Sequence, residues 1–244
     1  MIYEARREIQ ADGDKRVLDY MALNDFRNCL DIGGVHRPWA SKHVTTYVDL
    51  VKPEDWNIRH PGMYEPFPEI WESKLILGDC EAEAWDELME DVAKNGKYDF
   101  VVSTQMAEHL ANPKLFFERL PLVADEGYIA VPNKLFELGR GREFSDEGIK
   151  RCGLTGSYRG AAPHRWIFTV KKNVLWGFPK LGMLELVDFG FEDKLKHYEP
   201  LDLGTLGFMW KDNIPVRIIN DSDIDFPNPQ EAIELYRKEL SEGI

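Results

Sequence analysis

Three short apolar runs in the first part of the chain each close on an aspartate, and this limits the fold more than any other feature. Cys29-Leu30-Asp31-Ile32 stops at Gly33-Gly34, the β-branched run His43 to Leu50 carries Asp49 at its end, and Leu75-Ile76-Leu77 gives way to Gly78-Asp79. Runs this short suit strands rather than helices. Helical patterns alternate with them. Lys15 to Asp25 places Val17, Leu18, Met21 and Leu23 on a stripe, Ala82 to Lys94 is amphipathic and ends at Gly96, and Asn112 to Val123 has Pro113 in its first turn. Tyr98 to Ser103 and Tyr128 to Val131 read as two further strands. Alternation of this kind predicts an α/β fold with a mostly parallel sheet and crossover elements on its faces.

The rest of the chain is less regular. Pro53 to Glu72 holds four prolines and two tryptophans and reads as a loop with its own packing. Asn133 to Arg165 contains six glycines and little periodicity, as a lid or insertion would. Thr169 then stands where an N-cap would open a helix through about Leu181. Leu184 to Phe189, Leu206 to Trp210 and Val216 to Ile219 are strand candidates, and Glu231 to Leu240 closes the chain as a helix. At 244 residues, one domain spanning 1–244 is expected, with 133–165 an insertion within it.

Charge narrows the partners. Asp plus Glu outnumber Lys plus Arg by 43 to 30, for a net charge of -13. Such a field repels phosphate backbones and anionic membranes, so no nucleic acid and no membrane is expected, and a small-molecule substrate is. No apolar run has the length of a membrane span, and the polar first segment lacks the core of a signal peptide. Cys29, Cys80 and Cys152 are odd in number and lack metal-type spacing. A cytoplasmic location is the resulting expectation.

The acids at the strand ends bear on ligand binding. Open parallel sheets bind ligands beyond the carboxyl ends of their strands, where strand order reverses. Carboxylates there accept hydrogen bonds from amines, ribose hydroxyls or an exocyclic amino group. Asp49 follows Asp31 by 18 residues, one strand-crossover-strand step, and an acid at the second strand end is where a ribose is held. A dinucleotide site wants a third glycine after the first two, so that a helix start cradles the pyrophosphate. Gly33-Gly34-Val35-His36-Arg37-Pro38 keeps the tight turn without it, which points to a ligand lacking a pyrophosphate.

Taken in order, Asp31-Ile32-Gly33-Gly34, Asp49 and Gly78-Asp79-Cys80 resemble the first three motifs of class I S-adenosylmethionine-dependent methyltransferases. Tyr98 to Ser103, Glu108-His109-Leu110, Pro113, Phe116-Phe117, Gly127-Tyr128-Ile129 and Val131-Pro132-Asn133 are similar to the next motifs of its small-molecule group. His164-Arg165-Trp166, Phe168-Thr169 and Leu184 to Gly190 resemble the following segment, so the likeness runs from Cys29 to Gly190. It implies a Rossmann-like, seven-stranded, mostly parallel sheet with helices on both faces and a lid after the fifth strand. It also implies S-adenosylmethionine as cofactor and S-adenosylhomocysteine as product. Asp31 and Gly33 would lie near the methionine end, Asp49 on the ribose, Asp79 and Cys80 on the adenine, and Thr104 and Gln105 over the cofactor. The chain departs from the pattern at Val35-His36, where a further glycine is usual, and at Gly127-Tyr128, where Gly-Gly is common.

Glu108-His109 is the candidate for chemistry. Methyl transfer to an oxygen needs the attacking hydroxyl deprotonated, and an imidazole titrating near neutrality suits a base. The alternative is that His109 caps or packs its helix. Relatives in the ubiquinone pathway hold a divalent metal with Glu-x-x-Glu-His, but the first position here is the neutral Gln105. Glu108, His109 and His164 still offer ligands to a hard cation, yet with one carboxylate lost no metal is expected. The lid from Lys134 to Arg165 sets seven basic residues against four acidic ones. Guanidinium groups bind phosphate and carboxylate in pairs of hydrogen bonds, so Arg159, His164 and Arg165 are expected to meet an anionic acceptor such as a phosphorylated or nucleotide-linked sugar. A solvated basic loop is the competing account. A non-catalytic cofactor-binding module of the same fold remains the alternative to an enzyme.

Overall fold

The computed structural model describes residues 2–3, 10–35, 38–55, 72–139, 159–161, 163–186, 204–219 and 229–240. Ten strands are described. They are β1 (Ile2–Tyr3), β2 (Cys29–Ile32), β3 (Val44–Asp49), β4 (Lys74–Leu77), β5 (Phe100–Thr104), β6 (Glu126–Pro132), β7 (Trp166–Lys171), β8 (Val174–Pro179), β9 (Thr205–Lys211) and β10 (Val216–Ile218). Among the helices are α1 (Gln10–Leu23), α2 (Glu83–Asn95), α3 (Pro113–Val123), α4 (Lys134–Leu138) and α5 (Pro229–Leu240).

Seven strands form one sheet in the order β1-β9-β6-β5-β2-β3-β4. Pairings from β6 through β4 are parallel, whereas β9 runs antiparallel to both β6 and β1. The chain starts the parallel part at β2, moves outward through β3 and β4, then crosses back to β5 on the other side of β2. Strand order therefore reverses between β2 and β5. Crossover connections leave a crevice at such a point, beyond the carboxyl ends of the strands.

Period-two alternation assigns the faces. Leu30, Ile32, Val101, Ile129, Val131, Phe208 and Trp210 pack on one side with Trp85 and Leu88 of α2 and Phe116, Phe117 and Leu120 of α3. Cys29, Phe100, Val102, Tyr128 and Ala130 pack on the other with Val17 and Met21 of α1. Helices on both faces follow from strands that are apolar on both faces. The helix ends obey local chemistry. The Asn112 side chain accepts the Leu115 N–H at 3.2 Å, Pro113 opens α3, and Gly96, at φ 86, stops α2. No helix among the described residues is long and apolar enough to cross a membrane.

Two expectations are corrected. Thr169 opens no helix, because 166–179 form a hairpin in which Lys171 pairs with Val174 across Lys172 and Asn173. Those two residues sit at φ 48 and 65, as a two-residue hairpin turn requires. The apolar residues of this stretch divide between two cores: Phe168 joins that of the main sheet, and Ile167 and Phe178 join a second one with Tyr236 and Leu240 of α5. Gly182–Leu186 is a 3-10 turn rather than the start of a strand, and 187–190 lie outside the described residues. Val216–Ile218 is a strand, as expected; it extends the hairpin into a three-stranded sheet, and β1 is the seventh strand of the main sheet. Most of the expected 133–165 insertion, and most of the proline-rich 53–72 loop, also lie outside the described residues.

Candidate functional site

Two groups of side chains meet at the carboxyl edge of the sheet. The first surrounds the reversal point. Gly33, just past β2, has φ 84 and donates its N–H to Val48 O at 2.8 Å. A Cβ there would lie 2.5 Å from Met106 Cγ, and one on Gly34 would lie 2.2 Å from both carboxyl oxygens of Asp31. The two glycines therefore let the backbone close over a buried acid. Asp31 is 0 % exposed, and no described side chain donates a hydrogen bond to its oxygens. Burial, and then the charge of Asp49, push its carboxyl well above the ordinary range; the Gly34 amide offsets part of this.

Asp49, at the end of β3, is also buried, and its Oδ1 accepts the Val51 N–H at 3.1 Å. Asp79 follows β4, with Oδ1 on the Glu81 N–H at 2.8 Å. The Cys80 thiol is pushed up to about 12 by burial and by the charges of Asp79 and Glu81, so it stays protonated at neutral pH. Its sulfur lies 3.9 Å from Met106 Sδ. Buried Thr104, at the end of β5, accepts the Trp39 Nε1 proton at 3.3 Å. Gln105 takes the left-handed conformation at φ 53, donates its N–H to Ala130 O at 2.8 Å and turns Nε2 toward Thr205 Oγ1 at 3.3 Å. All seven residues expected for a cofactor thus stand along one edge, on the ends of β2, β3, β4 and β5. Trp39 and Met106 join them without having been singled out in the sequence; only their nearness in the fold marks them.

The second group lies on the short 3-10 turn Ala107–His109 and on the segment preceding β7. Glu108 is buried and His109 exposed. The Arg165 N–H donates to Glu108 O at 2.7 Å, and Trp166 Nε1 to Leu110 O at 2.8 Å, which pins residues 164–166 against the turn. His164 is thereby placed edge-on to His109, with ring centroids 4.7 Å apart, and its Nε2 is 3.9 Å from Glu108 Oε1. One ligand atom from each of Glu108, His109 and His164 lies within 4.8 Å of the others. The expectation of no metal rested on Gln105, whose side chain faces Thr205; the fold nevertheless sets His164 beside Glu108 and His109 as the third donor. One carboxylate and two imidazoles suit a first-row divalent ion such as Zn, Fe or Co better than Ca or Mg.

The expected acceptor-binding residues separate. His164 and exposed Arg165 border this second group. Arg159 does not reach it as a free cation. It is 1 % exposed, donates Nη1 to Leu138 O at 2.6 Å and Nε to Leu184 O at 3.0 Å, and its N–H goes to Glu185 at 3.1 Å. It ties α4 to the 182–186 turn from within. Arg140, Arg142, Lys150 and Arg151 of the expected basic lid lie outside the described residues.

No family model and no curated protein sequence matches the chain. Several solved structures are similar to it at low identity. The methyltransferase domain of bacterial CtHen1 is 17% identical over 57% of this chain and 73% of its own, with a TM-score of 0.38. The N-terminal domain of EvdMO1, solved with S-adenosylhomocysteine bound, is 13% identical over 84% of this chain and 67% of its own, with a TM-score of 0.36. The YcgJ protein of Bacillus subtilis is 13% identical over 51% of this chain and 52% of its own, with a TM-score of 0.34.

Proposed function

We propose that the chain is an S-adenosylmethionine-dependent methyltransferase that methylates an oxygen of a small, anionic acceptor, such as a phosphorylated or nucleotide-linked sugar. The observation that carries this is the buried pair Asp31 and Asp49 at the reversal point. Asp31, withdrawn from water with no described side chain donating to it, calls for a ligand that brings a cation, and Asp49 beside it stands at the strand end where ribose hydroxyls are held. An α-ammonium and a ribose diol on one molecule meet both needs, and the shortened glycine loop suits a nucleoside without a pyrophosphate.

In this reading Asp31 and Gly33 hold the methionine end, Asp49 the ribose, Asp79 and Cys80 the adenine edge, and Thr104 and Gln105 the wall near the sulfur. The bound cofactor supplies a methyl group on a sulfonium, an electrophile that needs little more than an aligned nucleophile. The chain's own contribution is to orient the acceptor with Arg165 and His164, exclude water, and take the hydroxyl proton at the His109 imidazole. Glu108, buried below, steadies the positive charge that His109 then carries.

The convergence of Glu108, His109 and His164 supports a second account of the same step. These three would hold a divalent cation, which lowers the pKa of the acceptor hydroxyl in place of a base.

Calorimetry with S-adenosylmethionine, S-adenosylhomocysteine and NADH tests the cofactor assignment; binding of NADH alone overturns it. Tight S-adenosylhomocysteine binding without methyl transfer to any phosphorylated or nucleotide-linked sugar would favour the non-catalytic module.

A further inference from the structure

Behind the second group lies a buried charge arrangement that the methyl-transfer chemistry does not itself require. Glu137 projects from the five-residue helix α4, and its side chain is almost fully enclosed. Its Oε1 lies 2.5 Å from His164 Nδ1, and its Oε2 accepts from Lys180 Nζ at 2.9 Å. Lys180 Nζ also donates to Ala161 O at 2.7 Å, and the Lys180 N–H bonds Arg165 O at 2.7 Å. Gly160, at φ 55, closes the other side: a Cβ there would fall 2.3 Å from Glu137 Oε2 and 2.7 Å from its Cα. Three separate segments thus hold one carboxylate in place, and among the described residues it meets the second group through His164.

We propose that Glu137 is a positioning residue that fixes His164 as the Nδ1–H tautomer and so presents the Nε2 lone pair to Glu108 and His109. A carboxylate is acceptor-only, so the ring nitrogen beside it must carry the proton. The hydrogen bond at one ring nitrogen determines what the other can do. With Nδ1 committed to Glu137, Nε2 is left as an acceptor or ligand atom, 3.9 Å from Glu108 Oε1. Lys180 compensates the carboxylate's charge and occupies its second oxygen, which leaves Oε1 to the ring. The arrangement serves either account of the site, as the Nε2 lone pair either ligates a cation or accepts a hydrogen bond that orients the acceptor hydroxyl toward His109. Its consequence for turnover rests on the methyltransferase reading; the tautomer itself does not.

The test is a proton–nitrogen correlation spectrum of the full chain with nitrogen-labelled histidine, at about pH 8, where an ordinary imidazole is neutral. His164 is assigned by the signal missing from His164→Asn. The expected spectrum shows Nδ1 protonated and Nε2 bare. A wild-type His164 that is Nε2–H, or still doubly protonated, overturns the proposal. In Glu137→Gln the Lys180 ammonium claims the amide oxygen and turns the amide NH2 toward the ring, so the tautomer should switch to Nε2–H. An unchanged tautomer in a folded Glu137→Gln also overturns it, and if that variant does not fold the wild-type spectrum decides. S-adenosylhomocysteine affinity should stay within about twofold in Glu137→Gln while kcat falls at least about 10- to 100-fold, the loss typical when the carboxylate behind a working histidine is removed. Absence of S-adenosylhomocysteine binding in the wild type would count against the function and leave the tautomer to be judged by the spectrum.

Discussion

The Cα of Gly34 stands so close to Asp31 that a methyl group on it would lie 2.2 Å from both carboxyl oxygens. The glycine is there to let the backbone fold onto a buried acid, and no larger residue fits unless that acid moves. Gly34→Ala should therefore weaken S-adenosylhomocysteine binding by about tenfold or more, the loss of one charge-assisted contact. Calorimetry on the folded variant reads this directly, and unchanged affinity would remove Asp31 from the cofactor site.

Asp31 also sets a pH dependence. Its carboxyl is raised in the folded protein, by burial first and Asp49 second. A raised acid contributes its full share of stability below its unfolded pKa, about 3.9, and loses it as pH rises toward the folded value. The ligand-free protein at neutral pH thus carries a cost at this position. Asp31→Asn should raise the Tm at pH 7 by at least about 2–4 °C, the shift per kcal/mol for a chain of this size, and the gain should vanish near pH 4. The same variant should lose cofactor affinity. A lower Tm at pH 7 would show that Asp31 has a stabilising partner.

Arg159 and Arg165 should behave as opposites. Arg159→Ala strands the Leu138 and Leu184 carbonyls inside the protein and should cost about 3 kcal/mol or more in chemical denaturation. Arg165→Ala should leave stability within about 0.5 kcal/mol, as for other exposed sites, and raise the acceptor KM. Equal KM values for wild type and Arg165→Ala would refute the anionic-acceptor reading.

The base and metal accounts of the second group diverge in a cobalt titration. If Glu108, His109 and His164 hold a cation, wild-type protein should develop visible cobalt absorption, His164→Ala should bind at least about tenfold more weakly, and chelators should abolish turnover. If His109 acts as a base alone, turnover should survive chelation and be lost in His109→Ala.

The hairpin turn gives a test of local structure. Asn173, at φ 65, is followed directly by β8. Asn173→Gly should be neutral to slightly stabilising, whereas Asn173→Val should cost about 1–2 kcal/mol in chemical denaturation. Equal stabilities of the two variants would mean the turn is not formed as described.

What could be read from the chain follows the range of the forces involved. Asp31, Asp49, Asp79 and the α2 and α3 patterns are local signals, since a short apolar run bounded by glycine or an acid has few alternatives in a parallel sheet. The 166–179 hairpin escapes a sequence reading because its apolar residues satisfy both periods. Ile167, Val170, Val174 and Phe178 recur three, four and four apart, while Trp166 and Phe168, and Trp176 and Phe178, lie two apart; packing of Phe168 and Phe178 into separate cores chose the strand. Its one local signal was Asn173 beside Lys172.

The sequence alone thus determined the order of strands and helices in the parallel part of the sheet and the row of acids along its edge, because backbone periodicity and turn chemistry act within a few residues. Only the tertiary structure decided that His164 meets His109, that Glu137 and Lys180 stand behind it, and that Arg159 is enclosed. Those relationships join residues 21 to 55 positions apart, and the meeting of His164 with His109 depends on how the hairpin docks against the Ala107–His109 turn. Formal charge made Arg159 look like a ligand for an anion; burial and two backbone carbonyls made it a strut.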